Sequence, residues 1–238
     1  MPINDHSQNT AVMNNLPLVA YMAQVPLLSD LSSAELGRLA SESELLRCPK
    51  GAYLFLADEP SMYLCFLIKG AVKIGMYSPE GKELIKSIQH PFDVFGEMGL
   101  AGEKIRPEFA CAISREVLYF KVPLPAFQHL MNQNFELTKK VAMHFGNRVR
   151  RVERQCESLV LKDVRTRIVE FLKENADERG RQVGFDMMIK HGLTQQDIAN
   201  LVGASRQTVA AIMNELRKSN LIHFNRNTIL IRDMDKLN

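Results

Sequence analysis

The 238-residue sequence predicts an α+β chain in three parts: an N-terminal β-roll, a long helix and a C-terminal winged helix-turn-helix. Three observations predict it. Short β-type runs punctuated by turns occupy about Cys48 to Val122. An apolar heptad seam follows from Phe145 to Leu159, and two capped helical patterns with a trailing hairpin pattern run from Leu193 to Ile231.

In the first part, residues before about Ala20 read as a polar extension, and Ser32 to Ser43 as a short helix with Leu36, Leu39 and Ala40 on one face. The β-type runs are Tyr53–Leu56, Tyr63–Ile68, Val72–Tyr77, Glu83–Ile88 and Val117–Val122. Lys69-Gly70 and Ser78-Pro79-Glu80-Gly81 supply turns between them. Many short strands at close spacing indicate a sandwich or barrel-like roll.

The middle part carries Phe145, Val149, Val152, Cys156 and Leu159 at alternating steps of four and three, ringed by Arg148, Arg150, Arg151, Glu153, Arg154 and Glu157. Two heptads are too short for an independent coiled coil. Attached to a folded domain, the seam reads as a two-fold dimer helix; a helix packed on its own domain is the other reading.

The third part is the most informative. Thr194 is an N-cap with Asp197 three positions on, and Ile198, Leu201 and Val202 then mark a buried face. Gly203 supplies the positive φ of a sharp turn, Ser205 caps the second helix, and Val209, Ile212 and Leu216 turn inward. The outer face of that helix holds Arg206, Gln207, Ala210, Asn214 and Lys218. In a helix-turn-helix the first turn of the second helix enters the major groove, so Arg206 and Gln207 are the leading candidates for base contacts. Thr194, Ser205 and Thr208 complete the expected double-stranded DNA surface. Leu221–Phe224 and Thr228–Ile231 flank Asn225-Arg226-Asn227 as a hairpin, a wing whose Arg226 would meet a phosphate.

Composition agrees. From Val164 onward 12 lysines and arginines face 9 carboxylates, which places the whole net charge of +3 in this half. The start lacks a basic segment followed by an apolar core, and no apolar run is long enough to span a bilayer, so the expectation is a cytoplasmic protein with no membrane partner. Cys48, Cys65, Cys111 and Cys156 are isolated, and His90, His129, His144, His191 and His223 are scattered. No metal site and no cofactor is therefore expected. An enzyme or metal-binding cupin would need a His/Glu cluster on the roll, whose strand-rich segment from about Cys48 to Val122 has His90 as its one histidine. A ligand-sensing protein acting through protein contacts is a further alternative.

Read in this order, the chain resembles the Crp/Fnr family of bacterial transcription regulators from about Val25 to Asp233. The markers are Ile68–Lys73, Ser78–Glu83, Phe95–Leu100, Leu161–Ile168 and Leu201–Val209. The resemblance implies a cyclic-nucleotide-binding-like jelly roll over 23–132 after an extension over 1–22, a dimerisation helix over 133–162 and the DNA-binding domain over 163–238. It also implies a homodimer on a palindromic promoter site, activation, and RNA polymerase as partner. Family members commonly carry an acidic residue where Gln207 stands and a second arginine where Ala211 stands, so a different half-site is expected. Cyclic-nucleotide-binding members follow a Gly-Glu pair with an Arg and then a Ser or Thr. Here Gly96, Glu97 and Arg106 match, with Met98 beside them, but Pro107 has no hydroxyl or N–H and Glu108 adds negative charge. Val152 and Glu153 stand where hydroxyl residues meet the purine. The expectation is an effector other than cyclic AMP, with Glu97 and Arg106 joined in an internal salt bridge.

Overall fold

The computed structural model describes residues 11–12, 18–225 and 228–237. Packing divides the chain into one unit of residues 1–82 and 86–148 and another of residues 83–85 and 149–238.

The first unit opens with strand β1 (Ala11–Val12), helix α1 (Leu18–Met22) and helix α2 (Ser33–Ser41). Eight strands follow: β2 (Glu44–Pro49), β3 (Tyr53–Phe55), β4 (Tyr63–Lys69), β5 (Val72–Tyr77), β6 (Glu83–Gln89), β7 (Val94–Phe95), β8 (Phe109–Ala112) and β9 (Glu116–Pro123). They form two sheets, ordered β1-β2-β9-β4-β7 and β3-β8-β5-β6, which make the roll. Helix α3 (Leu124–Gln133) and the long helix α4 (Phe135–Leu161) close this part of the chain.

Strand β4 explains the run Tyr63-Leu64-Cys65-Phe66-Leu67-Ile68. Leu64, Phe66 and Ile68 join a core built with α1, α2 and α3, while Cys65 and Leu67 join a second core between the two sheets. A strand buried on both faces has no polar side to alternate with, so its sequence is apolar throughout. Its neighbour β9 does the same, with Phe120 and Val122 on one side and Val117 and Tyr119 on the other. Phe66 stacks on Phe120 with ring centroids 4.8 Å apart.

One expectation changes here, and three strands are added. Leu18 and Met22 are fully buried in α1, so the packed chain starts before the boundary read at residue 23. Strands β2, β7 and β8 were not legible, because Glu44–Pro49 mixes charge into the run, Val94–Phe95 is too short, and Phe109–Ala112 is a short run of mostly small residues without β-branched side chains. The rest of the extension expected over residues 1–22, namely residues 1–10 and 13–17, lies outside the described residues.

The second unit continues from α4 into helix α5 (Val164–Arg179), strands β10 (Arg181–Val183) and β11 (Asp186–Lys190), helices α6 (Gln195–Val202) and α7 (Arg206–Lys218), and strands β12 (Ile222–Phe224) and β13 (Thr228–Ile231). The sheet runs β10-β11-β13-β12, so the wing hairpin extends an earlier hairpin that sequence reading missed. Helix α6 buries Ile198, Ala199 and Val202, leaving Leu201 half-buried. Helix α7 buries Val209, Met213 and Leu216. Met213 thus takes the central place expected for Ile212, because α7 packs on both α5 and β12 and the buried arc is turned by one residue.

Candidate nucleic-acid interface

The helix-turn-helix is held by bonds between near neighbours. Thr194 Oγ1 accepts from the Asp197 N–H at 3.1 Å, and Asp197 Oδ2 accepts from the Thr194 N–H at 2.8 Å, a reciprocal capping box at the start of α6. Gly203 ends α6 at φ +64°, and a Cβ there would also come within 2.8 Å of Leu159. Ser205 Oγ accepts from the Thr208 N–H at 3.0 Å and caps α7. Each cap satisfies one of the free N–H groups that open its helix.

Arg167, on α5, fixes the turn from outside. Its guanidinium donates to the carbonyls of Val202 at 2.8 Å, Gly203 at 3.3 Å and Lys162 at 2.7 Å. It belongs to the Leu161–Ile168 marker, but nothing in that run tells which distant carbonyls it meets.

The solvent face of α7 presents Ser205, Arg206, Gln207 and Lys218 exposed, with Thr208, Ala210 and Asn214 half-buried beside them. Arg206 and Gln207 occupy the first turn, where the helix dipole adds partial positive charge. Thr194 is engaged as a cap. The expected phosphate contact of Arg226 lies outside the described residues. Asn225 closes the hairpin connection, its side-chain oxygen accepting from the Thr228 N–H at 2.9 Å.

On α4 the heptad seam divides. Val149, Val152 and Leu159 are 57%, 51% and 43% exposed, and Cys156 is an exposed free thiol. Phe145 instead packs half-buried against the roll's core, so the open stripe starts at Val149. The other three cysteines are buried; desolvation pushes the thiols of Cys48 and Cys65 up to about 12.

The roll places its ionisable groups differently from expectation. Gly96, at φ +73°, leads a 3-10 turn over Glu97–Ala101, and a Cβ there would strike Arg106 Nη1 at 2.5 Å. Glu97 is buried and pairs with Arg148 and with His144 Nε2 at 3.3 Å, both from α4. The expected salt bridge with Arg106 is therefore replaced. Burial opposes ionisation of Glu97, but the His144 hydrogen bond and the Arg148 charge outweigh it and hold the carboxyl below the ordinary glutamate range. Arg106, equally buried, donates Nη2 to the Tyr63 carbonyl at 2.6 Å and lies 4.0 Å over the Phe55 ring. Glu108 is buried with Lys86 Nζ at 2.7 Å and Arg148 Nη2 at 3.8 Å. Met98 is half-buried, and Pro107, Val152 and Glu153 are exposed. His144 and Arg148 were missed as partners of this site. Their i, i+4 spacing puts them on one helix face, a signal that was legible, but their partner lies elsewhere in the chain. Among the described residues no group of three metal-ligating side chains occurs, and no helix is long and apolar enough to cross a membrane.

Comparison with known proteins follows the same division. The Crp-like helix-turn-helix domain model matches residues 166–238, and the cyclic nucleotide-binding domain model matches 45–134. The cAMP-activated global transcriptional regulator CRP of Haemophilus influenzae is 31% identical over 194 residues, covering 79% of this chain and 83% of its own. The CRP-like cAMP-activated global transcriptional regulator of Mycobacterium tuberculosis is 28% identical over 216 residues, covering 91% and 96%. Among solved structures, FixK2 from Bradyrhizobium japonicum superposes with a TM-score of 0.73 at 21% identity, covering 82% of this chain and 95% of its own. The c-di-GMP responsive global regulator CLP of Xanthomonas campestris reaches 0.72 at 20% identity, covering 85% and 100%.

Proposed function

Because the chain belongs to the Crp/Fnr family of DNA-binding transcription regulators, we propose that it acts as a homodimer on two-fold-symmetric promoter sites and activates transcription by engaging RNA polymerase. The observation that carries this reading is the capped helix α7, whose first turn offers Arg206 and Gln207 to solvent above a rigidly buried face. Arginine forks onto guanine O6 and N7, and glutamine pairs with adenine N6 and N7. With Gln207 in place of an acid and Ala211 in place of an arginine, the preferred half-site differs from that of the cyclic-AMP receptor proteins. Ser205, Thr208, Ala210, Asn214 and Lys218 border the contact, and Arg226 on the wing adds affinity without sequence preference.

The exposed stripe of Val149, Val152, Cys156 and Leu159 supports dimerisation along α4, since an open apolar helix face at heptad spacing is stabilised by a second copy. A dimer presents two recognition helices one DNA turn apart. The roll is then the sensing half. Relatives bear names that tie them to different nucleotides, cAMP for one and c-di-GMP for another, so membership leaves the effector open. We read it as other than cyclic AMP. The names of the cAMP-activated relatives favour the second reading, a cyclic-nucleotide response.

Selection from random DNA by the purified protein tests both. A recovered palindrome without ligand supports a dimeric regulator that needs no added effector. Recovery only with cyclic AMP supports the second reading, and no recovery in either arm overturns the assignment of α7. Arg206→Ala is expected to cost about 1–3 kcal/mol of discrimination at one base position, whereas Arg226→Ala weakens binding to all sequences alike.

A further inference from the structure

The roll's buried charges are matched among themselves, in a way the regulatory reading of this half does not by itself require. Three carboxylates, Glu97, Glu103 and Glu108, lie among three basic side chains, Lys86, Arg106 and Arg148. Glu108 sits between Lys86 Nζ at 2.7 Å and Arg148 Nη2 at 3.8 Å, with 5% of its side chain exposed. Arg106 is turned away into the Tyr63 carbonyl and the Phe55 ring, with Gly96 against its guanidinium. Pro107, between Arg106 and Glu108, has no N–H to offer an anion. The unmet group in the cluster is Glu97 Oε2, buried without a hydrogen-bond partner, and it is an acceptor that no anion satisfies.

We infer that Glu108, set between Lys86 and Arg148, is a built-in counter-anion, and that it is the residue which excludes phosphate-bearing effectors from this site. The inference rests on the reading of the roll as the sensing half. A phosphate group needs convergent donors and positive charge. Here Lys86 is already bonded to Glu108 and Arg148 to Glu97, with Glu108 3.8 Å from Arg148 Nη2 as well, so an incoming phosphate would face the Glu108 carboxylate at close range, where like charges repel. Replacing Glu108 by a neutral side chain frees Lys86, leaves Arg148 with Glu97 as its one remaining close carboxylate partner among the described residues, and creates an anion site where none stood.

The test compares the full-length protein with Glu108→Gln and Glu108→Ala, using inorganic phosphate and cyclic AMP as probes in calorimetry and thermal unfolding. Wild type is expected to show no shift with either probe. Glu108→Gln is expected to bind one or both at least about tenfold more tightly than wild type, with a higher unfolding midpoint in their presence. Glu108→Ala is expected to have a lowered midpoint that phosphate restores. Adding Lys86→Met to Glu108→Gln removes the gain if the pair forms the site. Wild type binding either probe as tightly as Glu108→Gln overturns the inference, as does a Gln variant that gains nothing. If Glu108→Ala fails to fold, the Gln variant decides alone. Retention of selected DNA by wild type is measured in parallel; its loss with the anion result intact counts against the regulator reading and not against Glu108.

Discussion

Asp197 caps α6 through a residue three positions away, whereas Arg148 reaches Glu97 across 51 residues of chain and Lys86 reaches Glu108 across 22. The recognition unit is built from local bonds, and the charged cluster of the roll from distant ones. Local bonds form as soon as a helix begins, so they leave a repeating mark in the residue order. Distant ion pairs depend on strands and helices already being in place. The two regions also respond differently to damage. Losing a cap exposes a backbone group to water, but losing one member of a buried ion pair strands a charge.

The largest effect that would sharpen this contrast comes from Arg167, the distant element in the otherwise local recognition unit. Arg167→Ala removes donors from three carbonyls and is expected to destabilise the DNA-binding half by about 3 kcal/mol, read by urea unfolding, with weaker binding to every DNA sequence. Unchanged stability would mean that the local caps alone hold the turn.

In the roll, Glu97→Ala leaves Arg148 and His144 facing a buried void. Because the Arg148 side chain is 31% exposed, water relieves part of the cost, and a loss of about 2 kcal/mol is expected. Hydrogen exchange in β4 and β9 should accelerate while that of α6 and α7 stays as it was. Acceleration spread equally over both regions would break the comparison.

A smaller effect is expected from Ser205→Ala, about 1 kcal/mol, visible as faster amide exchange at Thr208 with the roll unaffected. The smallest effect concerns pH. The Glu97 carboxyl lies below its ordinary value of 4.5, so its ionised form contributes stability above about pH 4.5. That contribution is lost as pH falls through the folded value. Wild type should therefore lose stability more steeply than Glu97→Gln in the acid range, and parallel acid profiles would show that Glu97 does not govern it.

Legibility followed the same line. Thr194, Asp197, Gly203 and Ser205 take the conformations and caps their spacing implies, and Tyr63–Ile68 and Val72–Tyr77 are strands as read. Met213 displaced Ile212 as the central buried residue of α7, because a heptad-like pattern leaves the buried arc free to rotate by one position until neighbouring elements settle it. The hairpin of β10 and β11 went unseen because Arg181–Val183 is exposed along its length and shows no alternation. The Glu97–Arg106 bridge that residue order suggests does not form, because pairing a carboxylate with a guanidinium needs distances, and Arg148 of α4 is the guanidinium within reach of Glu97.

Residue order alone sufficed for the three-part architecture, the recognition helix with Arg206 and Gln207 in its first turn, and the apolar seam, since periodicity and caps act over three to seven residues. Folding decided which cations hold Glu97 and Glu108, that Arg106 turns inward, that Arg167 clamps the turn and that Phe145 leaves the seam for the roll's core. Those contacts join segments far apart in the chain, and burial gives them their strength only once the surrounding side chains have excluded water.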